Sequence, residues 1–206
     1  MAVSINGTTG VTFPAGGLGN PAGAVVGTTD SQTLTNKTLT SPNIGGTPVM
    51  NTSVLTSGTA NTTLSGTSID FTSIPSWVKR ITVMFTSVST NGVSPLIIQY
   101  GVGGVPETSG YLGGSNNRGG ETAAVNGFLL NRVSIATNKV TILATICSFG
   151  SNIWVGSSIL AEQANDVGYF SACEKTLAGT LNMIRITTVG GVNTFDFGSI
   201  NIMYEG

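Results

Sequence analysis

The chain has 206 residues, 40% of them hydrophobic and only 8% charged, against roughly a quarter charged in an ordinary soluble domain. Its 8 Lys+Arg and 9 Asp+Glu leave a net charge of −1, so no basic surface for nucleic acid or anionic lipid is expected. Histidine is absent, which removes the Ser-His-Asp and Cys-His nucleophiles and most zinc sites, so the composition points away from an enzyme and implies no cofactor.

Residues 1–6 carry neither a basic cluster nor an apolar run, and no stretch approaches the ~20 apolar residues of a membrane helix. Neither secretion nor membrane insertion is expected. The Asn-x-Ser/Thr triplets at Asn6, Asn36, Asn51 and Asn61 then read as chance products of an Asn/Thr-rich segment. Composition shifts near residue 68. Residues 1–68 hold two charged side chains, Asp30 and Lys37, together with Pro14, Pro21, Pro42, Pro48 and isolated apolar residues. Such a segment cannot build a core of its own and is expected to lie on a partner or on copies of itself. Within it Thr33-Leu34-Thr35 and Thr38-Leu39-Thr40 repeat five residues apart, with Ile44 beyond. Stiff β-branched Thr favours extended backbone, and the single Leu between two Thr gives a narrow apolar stripe that gains burial where several copies meet.

From residue 69 onward the pattern is short strands between turn signals. Ile81, Val83 and Phe85 alternate with Thr82, Met84 and Thr86, and Asn91-Gly92 then reads as a hairpin turn. Further strands are expected at 96–100, 128–130, 140–146, 153–155, 159–160, 183–189 and 195–204, separated by glycine-rich breaks at 101–104, 110–120 and 190–191. This predicts an all-β chain: an extended segment over 1–68, then an antiparallel, jelly-roll-like β-sandwich over 69–206. Cys147 and Cys173, in apolar or mixed surroundings, read as unpaired small hydrophobes.

The run from Thr28 through Thr33-Leu34-Thr35-Asn36-Lys37-Thr38-Leu39-Thr40-Ser41-Pro42-Asn43-Ile44 resembles a segment recurrent in fibres of tailed bacteriophages. The opening Ser4 to Pro14 resembles the starts of such fibre proteins, and Phe71 to Phe85, continuing through Asn91-Gly92 to Tyr111, is similar to their distal domains. The resemblance implies a homotrimeric virion structural protein, docked on other virion proteins through residues 1–68 and presenting its distal domain outward. It also implies host adhesion, with a surface glycan or protein as the receptor. A head fibre, capsid decoration or connector protein with a purely structural role is the alternative it leaves open. At 206 residues the chain has no room for the long β-helix of the enzymatic tail spikes.

Residue chemistry narrows the candidates. The carboxylates Glu162, Asp166 and Glu174 read as a solvated loop rather than a catalytic pair, and no acid cluster has calcium-loop spacing. No metal site is expected among His-free, Cys-poor surroundings. Recognition by loops remains. The stretch 103–121 reads as the longest irregular segment, and its Tyr111, Asn116, Asn117 and Arg118 combine an aromatic face with amide and guanidinium donors, the groups that hold sugars. Tyr169-Phe170, in a turn-rich segment, forms a second candidate rim. Trp77 and Trp154 sit in apolar runs and are expected as core or interface anchors. Leu34, Leu39 and Ile44 are the candidate trimer and anchor residues.

Overall fold

The structure is a computed structural model, and it describes residues 4–6, 10–12, 36, 38, 40, 41, 43, 55–62, 65–117, 119–124, 126–132, 134, 136, 138–164 and 167–206. The chain divides into two units, Met1–Val49 and Met50–Gly206. In the first, β1 (Ser4–Asn6) and β2 (Gly10–Thr12) form an antiparallel pair with Ile5 opposite Val11. The expected trimer and anchor residues Leu34, Leu39 and Ile44 lie outside the described residues.

The second unit opens with β3 (Leu55–Ser57), β4 (Asn61–Thr62), β5 (Ser68–Phe71), β6 (Arg80–Thr90) and β7 (Leu96–Val102). Next come β8 (Val105–Pro106), β9 (Tyr111–Asn117), β10 (Gly120–Ala123), β11 (Phe128–Leu129) and β12 (Val140–Gly150). It closes with β13 (Ile153–Glu162), β14 (Val167–Thr176), β15 (Leu181–Thr188) and β16 (Phe195–Glu205). Every pairing is antiparallel, and no helix occurs among the described residues. The all-β expectation holds. A nine-stranded sheet runs β10-β9-β14-β13-β12-β6-β16-β3, with β4 also on β16. A five-stranded sheet runs β11-β7-β15-β5, with β8 on β7.

The two sheets share one core, giving a sandwich-like architecture. Ile81, Val83 and Phe85 of β6 face Ile98 and Tyr100 of β7 and Ile184 and Ile186 of β15, all at most 1% exposed. Period-two alternation drives this: each β6 residue between the buried ones turns its side chain away from the core. On β13, Gly156 occupies an inward position because a Cβ there would stand 2.8 Å from both the Tyr100 hydroxyl and the Phe128 ring. Trp154 joins the core, whereas Trp77 is 44% exposed and rests its ring 6.0 Å from that of Tyr204. Both cysteines are free; Cys173 is buried and Cys147 exposed.

Two expectations shift. Asn91-Gly92 does not close a hairpin, because β6 and β7 belong to different sheets. The chain crosses between sheets there, beside the returning crossing from β15 to β16. The Asn91 amide nitrogen donates to the Thr194 hydroxyl (2.8 Å) and the Thr194 N–H to the Asn91 Oδ1 (2.9 Å). Long-range hydrogen bonds therefore override a local turn preference. The composition shift at 68 also falls inside the folded unit. β3 and β4 bond to β16 and β5 to β15, so residues 55–57, 61–62 and 68–71 are stitched into the sheets.

Candidate functional site

The stretch 103–121 is largely strand. Gly103 and Gly104, at φ +62° and +79°, make the turn between β7 and β8, and β9 and β10 follow as a hairpin on the edge of the large sheet. β14 also replaces the turn-rich segment expected around Tyr169-Phe170, and it pairs with β9. Two candidate rims more than fifty residues apart in sequence thereby become neighbours, with Phe170 directly opposite Asn116 and Asn116 opposite Glu121 of β10.

Strand alternation then splits each rim between two faces. Phe170 is 68% exposed and, with Asn116 and Glu121, points outward. Gly113, Gly114, Ala123, Ser171 and Ala172 complete the walls and floor of a groove of about 540 Å³. Its flatness is a backbone requirement. Gly113 has φ +139°, and a Cβ there would run into the Ala172 carbonyl of the next strand. An exposed ring beside an amide and a carboxylate, over a floor of small residues, suits a sugar: the ring takes its C–H face and the polar groups its hydroxyls. Among the described residues one carboxylate, Glu121, lines the groove, whereas glycoside hydrolysis uses two.

Tyr111 has the opposite fate, and the expectation of an exposed stacking ring is corrected. It is 5% exposed and meets Tyr100 edge-on, with ring centroids 5.6 Å apart. The Tyr100 N–H donates to its hydroxyl oxygen (2.7 Å), and that hydroxyl donates to the Glu107 carbonyl (3.0 Å). Burial is the main cause that holds its phenol protonated far above the usual range. Below it the nearly buried Lys175 pairs with Glu107 at 2.5 Å. Tyr111 is a core residue.

Tyr169 is likewise buried, at 4% exposed. Its hydroxyl bonds to Asn117 and Glu162, and burial followed by the Glu162 charge raises its pKa. Glu162 itself is 5% exposed and accepts from the Asn138 amide (3.2 Å), so it is not the solvated loop residue expected. Glu174 is exposed and points to the other face of the sheet, which separates the two carboxylates. Asp166 and Arg118 lie outside the described residues. Among the described residues no group of three or more His, Cys, Asp or Glu gathers to hold a metal ion.

Of the expected site residues, Phe170 and Asn116 thus come together on an open surface, while Tyr169 and Asn117 meet behind them. Sequence reasoning missed Glu121 as a site residue and the small-residue floor. The available signal was the run Gly113-Gly114 matched by Ala172, which permits close strand approach. Comparison with family models, with curated proteins and with solved structures finds no match to this chain.

Proposed function

We propose that the chain is a virion structural fibre protein of a tailed bacteriophage, homotrimeric, attached to other virion proteins through its N-terminal segment and contacting the host surface through the groove of β14, β9 and β10. The carrying observation is the row Phe170, Asn116 and Glu121, three strands wide, above a floor of small residues. The ligand class is a neutral or weakly polar glycan, held by ring stacking and by amide and carboxylate hydrogen bonds. The fibre assignment rests on the resemblance of residues 4–44 and 71–111. The jelly-roll form of the sandwich is supported by the winding: β6 beside β16, β7 beside β15 and β9 beside β14 are successive strand pairs that cross together from sheet to sheet.

A purely structural role, as a head fibre or decoration protein, is favoured by one specific observation. With Tyr111 and Tyr169 buried, a single aromatic side chain lines the groove. The deciding experiment measures phage adsorption and thermal stability for Phe170→Ala and Asn116→Ala. Lost stacking costs on the order of 1–3 kcal/mol per site by analogy with interface hot spots, and multivalency amplifies it, so adsorption is expected to fall at least tenfold at unchanged melting temperature. Wild-type adsorption by both variants would leave the structural role.

A further inference from the structure

The outer face of the large sheet carries more apolar surface than its groove accounts for. Register places Met84, Leu143 and Ile159 side by side on β6, β12 and β13, with Leu143 and Ile159 47% and 55% exposed. The next outward row is short and uncharged: Thr82, Thr145 and Ser157. Beyond it Val155 lies opposite Cys147. On β16 the outward residues Asn201 and Met203 extend the first two rows. Charge enters this half of the face at its two ends: Arg80 pairs with Glu205 at one, and Lys139 lies over the exposed Phe197 ring of β16 at the other. The groove half differs, since Glu121 and Glu174 place carboxylates there.

The sequence of β12 carries the same message. From Val140 to Ile146 the inward Val140, Ile142, Ala144 and Ile146 alternate with the outward Thr141, Leu143 and Thr145, so Leu143 is a large aliphatic side chain on the side that alternation leaves to solvent. In the protomer only one of its faces is covered.

We propose that a second copy of this chain covers the outer face of β16, β6, β12 and β13. Three features select a copy of itself. Four strands at ~4.8 Å spacing and about ten residues at ~3.4 Å offer roughly 650 Å², close to the ~800 Å² each partner contributes to a standard stable interface. Among the described residues the middle rows of the face hold no charged side chain, so two identical copies meet there without burying an ion, and Lys139 and the Arg80–Glu205 pair stay at its rims. The short middle row of Thr and Ser lets neighbouring copies approach closely while the aliphatic row fills the space between them. In a trimer the three faces turn toward a common axis, and the groove borders the seam. The interface is built from strands of the second unit, Met50–Gly206.

Cys147 reports on this face, and the buried Cys173 serves as an internal control for unfolding. The experiment is maleimide labelling of the native full-length chain at micromolar concentration, with its mass read by light scattering. Expected are a multiple of the chain mass and Cys147 labelling at least tenfold slower than an exposed model thiol. Ile159→Lys should restore labelling of Cys147 and lower the mass, with Cys173 still protected. Should Ile159→Lys expose Cys173, dilution of the unaltered chain replaces it, and reactivity at Cys147 should rise as the mass falls. Rapid labelling of Cys147 at any mass overturns the proposal, and that is the outcome expected if lipid or another protein is the natural cover. Protection in a chain that scatters as a monomer overturns it equally. A multimer with reactive Cys147 would leave the trimer intact while removing this interface.

Discussion

The two sheets treat their outer faces differently. On the small sheet the outward Ile97, Leu129 and Met183 are at most 2% exposed although they stand apart from the main core, so the chain covers them itself. Gly127 lies directly against Ile97, and a Cβ there would stand 3.0 Å from its side chain. On the large sheet the outward Leu143, Val155, Ile159 and Phe170 are between 44% and 68% exposed. One molecule thus applies two solutions to one problem, and the proposed contacts of the large sheet rest on that contrast.

The contrast is broken first at Tyr111. Its inward ring and two hydrogen bonds make Tyr111→Ala a loss of about 3–5 kcal/mol, and Tyr111→Phe a loss of about 1–2 kcal/mol. Phe170→Ala, on the outward side of the neighbouring strand, should move stability by less than about 0.5 kcal/mol. Chemical denaturation of the three variants measures this, and equal costs at Tyr111 and Phe170 would abolish the distinction between faces. The same substitution at two isoleucines sharpens it. Ile97→Thr and Ile159→Thr keep strand propensity constant, so their difference reports cover alone. Expected losses are about 2–4 kcal/mol at Ile97 and under about 1 kcal/mol at Ile159 in a dilute protomer.

The Lys175–Glu107 pair adds a pH dependence. Burial pushes the Glu107 carboxyl up, but the hydrogen bonds from Lys175 and the Ala178 N–H, with the Lys175 charge, outweigh it and hold the carboxyl below its ordinary value of 4.5. A folded value below the unfolded one means the stabilisation is complete above about pH 4.5 and disappears as pH falls through the folded value. Glu107→Gln should cost about 1–3 kcal/mol near neutrality, because Lys175 is left nearly buried without its counter-charge. Melting curves from pH 7 to 3 should show the variant and the unaltered chain converging at the acid end; a constant offset would refute the linkage. The smallest effect belongs to the outer face of the small sheet. There Arg185 donates twice to Asp70 at 2.7 Å, in a pair about one-third exposed, so Asp70→Asn should cost at most about 1 kcal/mol and less at high salt.

Much of the sandwich was legible because apolar alternation and core membership coincide. Ile81, Val83 and Phe85 read as the buried side of a period-two strand, and all three are at most 1% exposed. β9 and β14 were not legible. Their inward positions include Ser115, Ser171 and Lys175, which carry no apolar signal, and Gly113-Gly114 reads locally as a break. What makes them strands is pairing to each other, a contact across more than fifty residues that no local pattern encodes. The groove inherits that limit. Its residue types were recognisable, but the faces on which Tyr111 and Phe170 point depend on register, and a shift of one residue exchanges them.

The register of β3 on β16 has a mechanical consequence. Leu55 lies opposite Glu205 and Ser57 opposite Met203, so the chain arrives in the folded unit alongside its last strand. The Asn91–Thr194 clasp sits at the other end of β16, about 35 Å away along eleven residues. A pull applied through residue 55 is therefore received by one short strand pair and can peel it open without loading the clasp or the aromatic core. The winding is also nearly a closed circuit. A brief linker joining residues 206 and 55 would complete it, and a new start cut into an exposed turn such as Gly103-Gly104 would leave every sheet pairing of the unit in place.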